Sequence, residues 1–116
     1  MEGSVASRKR KRAKKGNLSD EMQRCLNLLN AVQARNDAAM FLEPVDWKGL
    51  NLLDYRDIVK KPMDLGTVET KLYDGKYKKI QGFAKDVRLV FSNAQAYNME
   101  ESDIYKNAEA LSDMFE

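Results

Sequence analysis

A chain of 116 residues with an ordinary apolar share, one cysteine and no histidine suits a single domain that buries a core without disulfides or metal. One cysteine excludes an internal disulfide, the roughly four Cys or His ligands of a structural zinc site are lacking, and the usual general base of a hydrolase is missing. No run approaches the roughly 18 apolar residues of a membrane span, and the charged start lacks the apolar stretch of a signal peptide; a reducing intracellular compartment fits.

The net charge of +2 is unevenly divided. Residues 1–18 hold seven Lys/Arg against Glu2, while the remainder holds thirteen against seventeen acids. A basic tail therefore precedes a mildly acidic body, expected to begin at Ser19 and run to Glu116. The run Arg8-Lys-Arg-Lys-Arg-Ala-Lys-Lys15 cannot pack a core and is expected to be disordered. Such runs act as nuclear-import signals, as phosphate-binding arms, or merely as solubilising tails. Nuclear import, and hence a nuclear location, is the reading adopted.

Ser19-Asp-Glu opens the first predicted helix, with a hydroxyl to cap it and acids at the positive end of its dipole. Met22, Cys25, Leu26, Leu29 and Val32 follow at helical spacing. Cys25 lies on that stripe and reads as a buried small hydrophobe, not a reactive thiol. A shorter helix starts at Asp64 after Pro62, turns Leu65, Val68 and Leu72 inward, and ends at the Asp74-Gly75 turn. A long helix spans about Lys79 to Tyr97, with Ile80, Phe83, Val87, Val90, Phe91 and Ala94 on one face and Lys85, Asp86 and Arg88 facing away. A last helix begins after Ser102-Asp103 and carries Ile104, Ala108, Leu111 and Phe115. Its stripe is still running at Glu116 without a stop signal, which predicts a longer parent chain. Four helices and no convincing strand make an all-α helical bundle.

The segment from Asn36 to Met63 does not fit a plain bundle. Its 28 residues contain Pro44, Gly49 and Pro62 and no sustained period, whereas bundle connections run about 2–8 residues and loops beyond about 12–15 tend to be functional or disordered. This one is too apolar for disorder: Phe41, Leu42, Val45, Trp47, Leu50, Leu52, Leu53, Tyr55, Ile58 and Val59 are all expected to need burial. A long, apolar, ordered loop is a way to build the wall of a cavity.

Leu50-Asn-Leu-Leu-Asp-Tyr55, Ile58-Val-Lys-Lys-Pro-Met-Asp-Leu-Gly-Thr67 and Phe91-Ser-Asn-Ala-Gln-Ala-Tyr-Asn98 together resemble a bromodomain, nearest within that family to the BET type and its plant relatives. The resemblance covers about residues 19–116 and implies a left-handed four-helix bundle, its helices named Z, A, B and C, with a long Z–A loop and a short B–C loop framing a pocket. It also implies recognition of acetylated lysine, usually on histone tails, as a monomer without catalysis, cofactor or metal. By that match Asn98 holds the acetyl carbonyl and Tyr55 reaches the same oxygen through a water. Val45, Leu50 and Leu52 line the loop side, Tyr97 the opposite wall, Phe41 the base, and Ile104 the mouth as gatekeeper. One departure stands out. Many members carry Trp-Pro-Phe where this chain has Ala39-Met40-Phe41, so the apolar shelf beside the pocket is replaced, which bears on affinity, peptide preference and shelf-contacting inhibitors.

Without the resemblance, Asn98 reads as a helix C-cap, since asparagine tolerates a left-handed backbone; Tyr55 reads as a packed loop tyrosine, the loop leucines as anchors, and Ile104 as core. The apolar loop together with Tyr55 tips Asn98 toward the ligand role, and both roles can coexist. Glu100, Glu101 and Asp103 suit the start of the last helix or steer a lysine-rich tail. The rival reading is a nucleic-acid-binding protein acting through its tail, extended by Lys76, Lys78 and Lys79. The acidic body and the lack of a basic base-reading helix count against it and leave weak DNA contact by the tail as an accessory. A purely structural module leaves the long apolar loop unexplained, and an enzyme lacks any nucleophile with a partnered base.

Overall fold

The protein is described here from a computed structural model covering residues 18–116; the basic run Arg8–Lys15 lies outside the described residues. Four helices dominate: α1 (Asp20–Gln33), α2 (Leu65–Tyr73), α3 (Ile80–Tyr97) and α4 (Asp103–Phe115). Among the described residues there is no strand. The start signals act as expected. Ser19 Oγ accepts the Met22 N–H at 3.1 Å, Ser102 Oγ accepts the Tyr105 N–H at 3.1 Å, and Asp64 caps α2 by accepting the Thr67 N–H at 2.9 Å and the Thr67 hydroxyl at 2.6 Å. The three bonds from backbone N–H groups satisfy amides that the helices themselves leave unpaired. Gly75, at φ 74°, makes the turn out of α2 in a region that only glycine enters freely.

The core lies where the four stripes meet. Leu26, Leu29 and Val32 of α1, Leu65, Val68 and Leu72 of α2, Phe83, Val87 and Phe91 of α3, and Ala108 and Leu111 of α4 are all buried. Each of these side chains except the smaller Ala108 contributes about 1.5–3 kcal/mol. Cys25 is buried among them, and that burial raises its thiol pKa, so it packs as a small hydrophobe. The most extensive packing joins α3 to α4, the two helices that flank the short connection containing Asn98.

Asp86 corrects the expectation that it faces away with Lys85 and Arg88. It is only 4% exposed. Lys71 Nζ of α2 lies 2.7 Å from its Oδ2, and the Tyr77 hydroxyl donates to the same oxygen at 2.7 Å. Burial alone would raise this carboxyl's pKa, but the two hydrogen bonds and the ammonium outweigh it and hold it below the ordinary value. Helical periodicity missed this because the compensating partners come from another helix and from the turn after it.

The long connection also departs from expectation. It is not aperiodic throughout: a 3₁₀ turn spans Asn36–Phe41 and one turn of α-helix spans Tyr55–Ile58. Of the ten apolar residues expected to need burial, Phe41, Tyr55 and Val59 are buried, while Val45, Ile58, Leu50 (63% exposed) and Leu53 (69%) are not. The loop lies with one side against the helices; of its exposed apolar residues, Val45 and Leu50 edge an open cleft, while Ile58 and Leu53 do not.

What seats the loop is a close backbone approach. The Gly66 N–H donates to the Leu42 carbonyl at 3.1 Å, and a Cβ on Gly66 would come within 2.5 Å of that same oxygen. Gly66→Ala, nominally a gain in helix propensity, is therefore expected to lower stability by about 1–3 kcal/mol through overpacking, read as a lower Tm. Asp86→Asn is expected to lose about 1–3 kcal/mol, since Lys71 and Tyr77 lose their ionised acceptor. A carboxylate with a lowered folded pKa stabilises fully above its unfolded value and loses that contribution as pH falls through the folded one. The Tm gap between wild type and Asp86→Asn should thus be widest near neutrality and close as pH drops below 3.8; scanning calorimetry from pH 7 to 3 measures it.

Candidate functional site

A cavity of about 520 Å³ opens between the long loop, the C-terminal half of α3 and the first turn of α4. Its inner wall is built by helical spacing: Val90, Ala94 and Asn98 follow one another at intervals of four, so they stack along a single face of α3 and its end. The opposite wall is the loop, with Val45, Leu50 and Leu52. Phe41 also lines it, its ring edge-on to Phe91 at 5.7 Å. Ile104, at the start of α4, lines it too, as do Ala39 and Met40 of the 3₁₀ turn.

Asn98 follows the last residue of α3. Its backbone is extended (φ −99°, ψ 153°), so it is not the left-handed cap that its residue type alone would suggest; the left-handed asparagine is Asn51. The Ala94 carbonyl accepts twice from Asn98, from the backbone N–H at 3.0 Å and from side-chain Nδ2 at 2.9 Å. The second bond fixes which end of the amide is nitrogen. A carboxamide NH₂ has two donors, so one N–H remains once Ala94 is satisfied, on a side chain that borders the cavity.

Tyr55 and Tyr97 meet beside it with ring centroids 5.0 Å apart in an edge-to-face arrangement, a geometry that adds to simple burial. The Tyr97 hydroxyl donates to Asp54 at 2.7 Å, tying α3 to the loop across 43 positions of sequence. That hydrogen bond to Asp54 raises the Tyr97 pKa, and burial raises that of Tyr55; both therefore stay neutral phenols. Asn93 adds a second tie, donating to the Lys61 carbonyl at 2.9 Å. No hydrogen bond engages the Tyr55 hydroxyl among the described residues, and no side-chain polar atom is buried without a partner there, so that hydroxyl is not sealed off; Tyr55 itself lines the cavity.

The carboxylates at the border are Glu43, Asp46 and Asp64. Asp64 is committed to capping α2, and Asp46 Oδ1 accepts the Gly49 N–H at 3.0 Å. No lysine or arginine lines the cavity. The arrangement suits a neutral hydrogen-bond acceptor at the end of an apolar stem.

All ten residues singled out from the sequence (Ala39, Met40, Phe41, Val45, Leu50, Leu52, Tyr55, Tyr97, Asn98 and Ile104) border this one cavity. Sequence reasoning missed Val90 and Ala94 as lining, because their stripe reads as core; counting back in fours from Asn98 would have found them. It also missed Met63 and the two ties from Tyr97 and Asn93.

Comparison with known proteins agrees with this architecture. The bromodomain family model matches residues 25–110. Similar proteins include "Transcription factor GTE5, chloroplastic" of Arabidopsis thaliana, 52% identical over 92 residues covering 79% of this chain and 19% of that protein. "Transcription factor GTE1" of the same plant is 43% identical over 97 residues, covering 84% and 25%. A bromodomain-containing protein of Dictyostelium discoideum is 43% identical over 99 residues, covering 85% and 6%. The chain thus spans a quarter or less of the length of these relatives. The helices, the long loop between the first two of them and the family match, which runs from within α1 to within α4, all lead to one assignment: the chain belongs to the bromodomain family.

Proposed function

We propose that this domain reads acetylated lysine on histone tails, as a non-catalytic module of a nuclear protein that regulates transcription. The observation carrying this reading is the Asn98 carboxamide, oriented by Ala94 and left with one N–H beside an apolar cavity. Acetylation turns an ammonium into a neutral amide with a carbonyl acceptor. The spare N–H meets that carbonyl, the Tyr55 hydroxyl is a second polar group for the same ligand, and Val45, Leu52, Phe41 and Val90 take the methylenes and the acetyl methyl at about 0.8 kcal/mol per buried CH₂.

Unmodified lysine loses at the same place. Its ammonium faces a donor, and it must shed water among apolar walls, a penalty of at least about 1–3 kcal/mol. Glu43 and Asp46 are solvent-exposed at the border, where they favour the basic stretches around an acetylated site without offering the inner end of the cavity a counter-charge. A single side chain buries little area, so affinity is of roughly micromolar to millimolar order, and selectivity rests on flanking contacts or linked modules. Two relatives are named as transcription factors, which with the basic run at Arg8–Lys15 supports the nucleus. The name of one relative carries "chloroplastic", so imaging of a fluorescent fusion decides the compartment.

Calorimetric titration with an acetylated histone-tail peptide and its unmodified counterpart tests the reading. Wild type is expected to bind only the acetylated form. Asn98→Ala is expected to lose binding by tenfold or more, while its Tm falls only by the worth of one helix-end hydrogen bond, about 1 kcal/mol. Undiminished affinity in that variant, or equal affinity for both peptides, would overturn the assignment.

A further inference from the structure

Leu50 and Val45 line the cavity, yet they are 63% and 38% exposed. Burial cannot be what holds them in place; something local must. For Leu50 the stretch from Asp46 to Leu52 supplies it, a single helical turn closed at both ends by its own hydrogen bonds. At its start, Asp46 Oδ1 accepts the Gly49 N–H at 3.0 Å and the Asp46 carbonyl accepts the Leu50 N–H at 2.9 Å. The carboxylate lies so close over Gly49 that a Cβ there would collide with it. At its end, the Leu52 N–H donates to the Trp47 carbonyl at 2.7 Å and the Asn51 N–H to the Lys48 carbonyl at 3.1 Å. This nested pair terminates a helix when the residue after it is left-handed. Asn51 is that residue, with φ 60°, and among the described residues it is the only non-glycine at positive φ.

We propose that Asn51 is a positioning residue for the ligand pocket: by holding a left-handed backbone it reverses the chain between Leu50 and Leu52 and keeps both against the cavity. The proposal rests on the acetyl-lysine reading of that cavity. Asn51 itself is exposed, does not line the cavity, and is engaged by no side-chain hydrogen bond among the described residues, so its contribution is conformational. Asparagine enters the left-handed region at far lower cost than a β-branched residue. If the turn opens in a variant, the exposed loop absorbs the change with little effect on the core. The bound state must then re-form the wall, and the apparent affinity falls by the fraction of molecules in which the wall is already formed.

The test is a graded series at position 51, read by calorimetry with a lysine-acetylated histone-tail peptide and by thermal melts of the same samples. Asn51→Gly, which permits the left-handed backbone, is expected to bind within about threefold of wild type. Asn51→Val is expected to bind about tenfold more weakly with Tm nearly unchanged, and Asn51→Ala to fall between. Valine binding as tightly as wild type overturns the proposal. So does an equal loss in Gly and Val, which would put the effect in the side chain, or a fall in Tm with affinity retained, which would make the turn a stability element only. Wild type failing to bind the acetylated peptide removes the functional reading itself, and this inference with it; wild-type binding together with an unaffected valine variant removes the inference alone.

Discussion

Keeping an apolar cleft open in water is the constraint on which this structure depends. Hydrophobic walls gain about 25 cal/mol for every Å² they hide from solvent, so a mobile loop bearing Val45, Leu50 and Leu52 would gain by collapsing onto α3. The walls are held apart by polar contacts of fixed length. Tyr97 to Asp54 and Asn93 to the Lys61 carbonyl clamp the distal part of the loop, and the Gly66 N–H to the Leu42 carbonyl clamps its beginning. Between the clamps, the turn from Asp46 to Leu52 carries its own hydrogen bonds.

Core packing and cavity lining are accordingly divided along α3. Toward its N-terminal end Phe83 and Val87 are buried in the core, and Asp86 engages Lys71 of α2 and Tyr77. Toward its C-terminal end Val90 and Ala94 line the cavity, and Asn98 leaves helical geometry with an amide donor to spare. The Ala94 carbonyl joins the two halves, because one oxygen both ends the helix and orients the carboxamide. Asn98 both follows the last residue of α3 as its cap and borders the cavity, so the cap reading and the proposed ligand role do not compete.

Ala39 and Met40 fall on a 3₁₀ turn that borders the cavity. The turn is anchored by Phe41, which is buried edge-on against Phe91. The surface it offers beside the cavity is a small methyl and a flexible thioether. Methionine adapts to irregular contacts, so this side is the more compliant of the two.

The sequence by itself determined the helices and the list of residues around the cleft. Caps at Ser19, Asp64 and Ser102 and stripes at intervals of three and four are local signals, set by backbone amides and side-chain spacing within one element. The resemblance carried by the motifs around Tyr55 and Asn98, not spacing, supplied the positions that border the cavity. Only the tertiary structure decided that Asp86 is inside, that Leu50 and Leu53 are outside, and that Asn98 is extended while Asn51 is left-handed. The places of Asp86, Leu50 and Leu53 depend on a partner distant in the chain or on the route the loop takes over the bundle, whereas Asn51 closes a local turn whose backbone bonds residue spacing does not reveal. The burial of a charge is settled by which cation and hydroxyl cross over it, and the exposure of a leucine by whether another wall arrives to cover it; spacing along one helix or one loop carries neither.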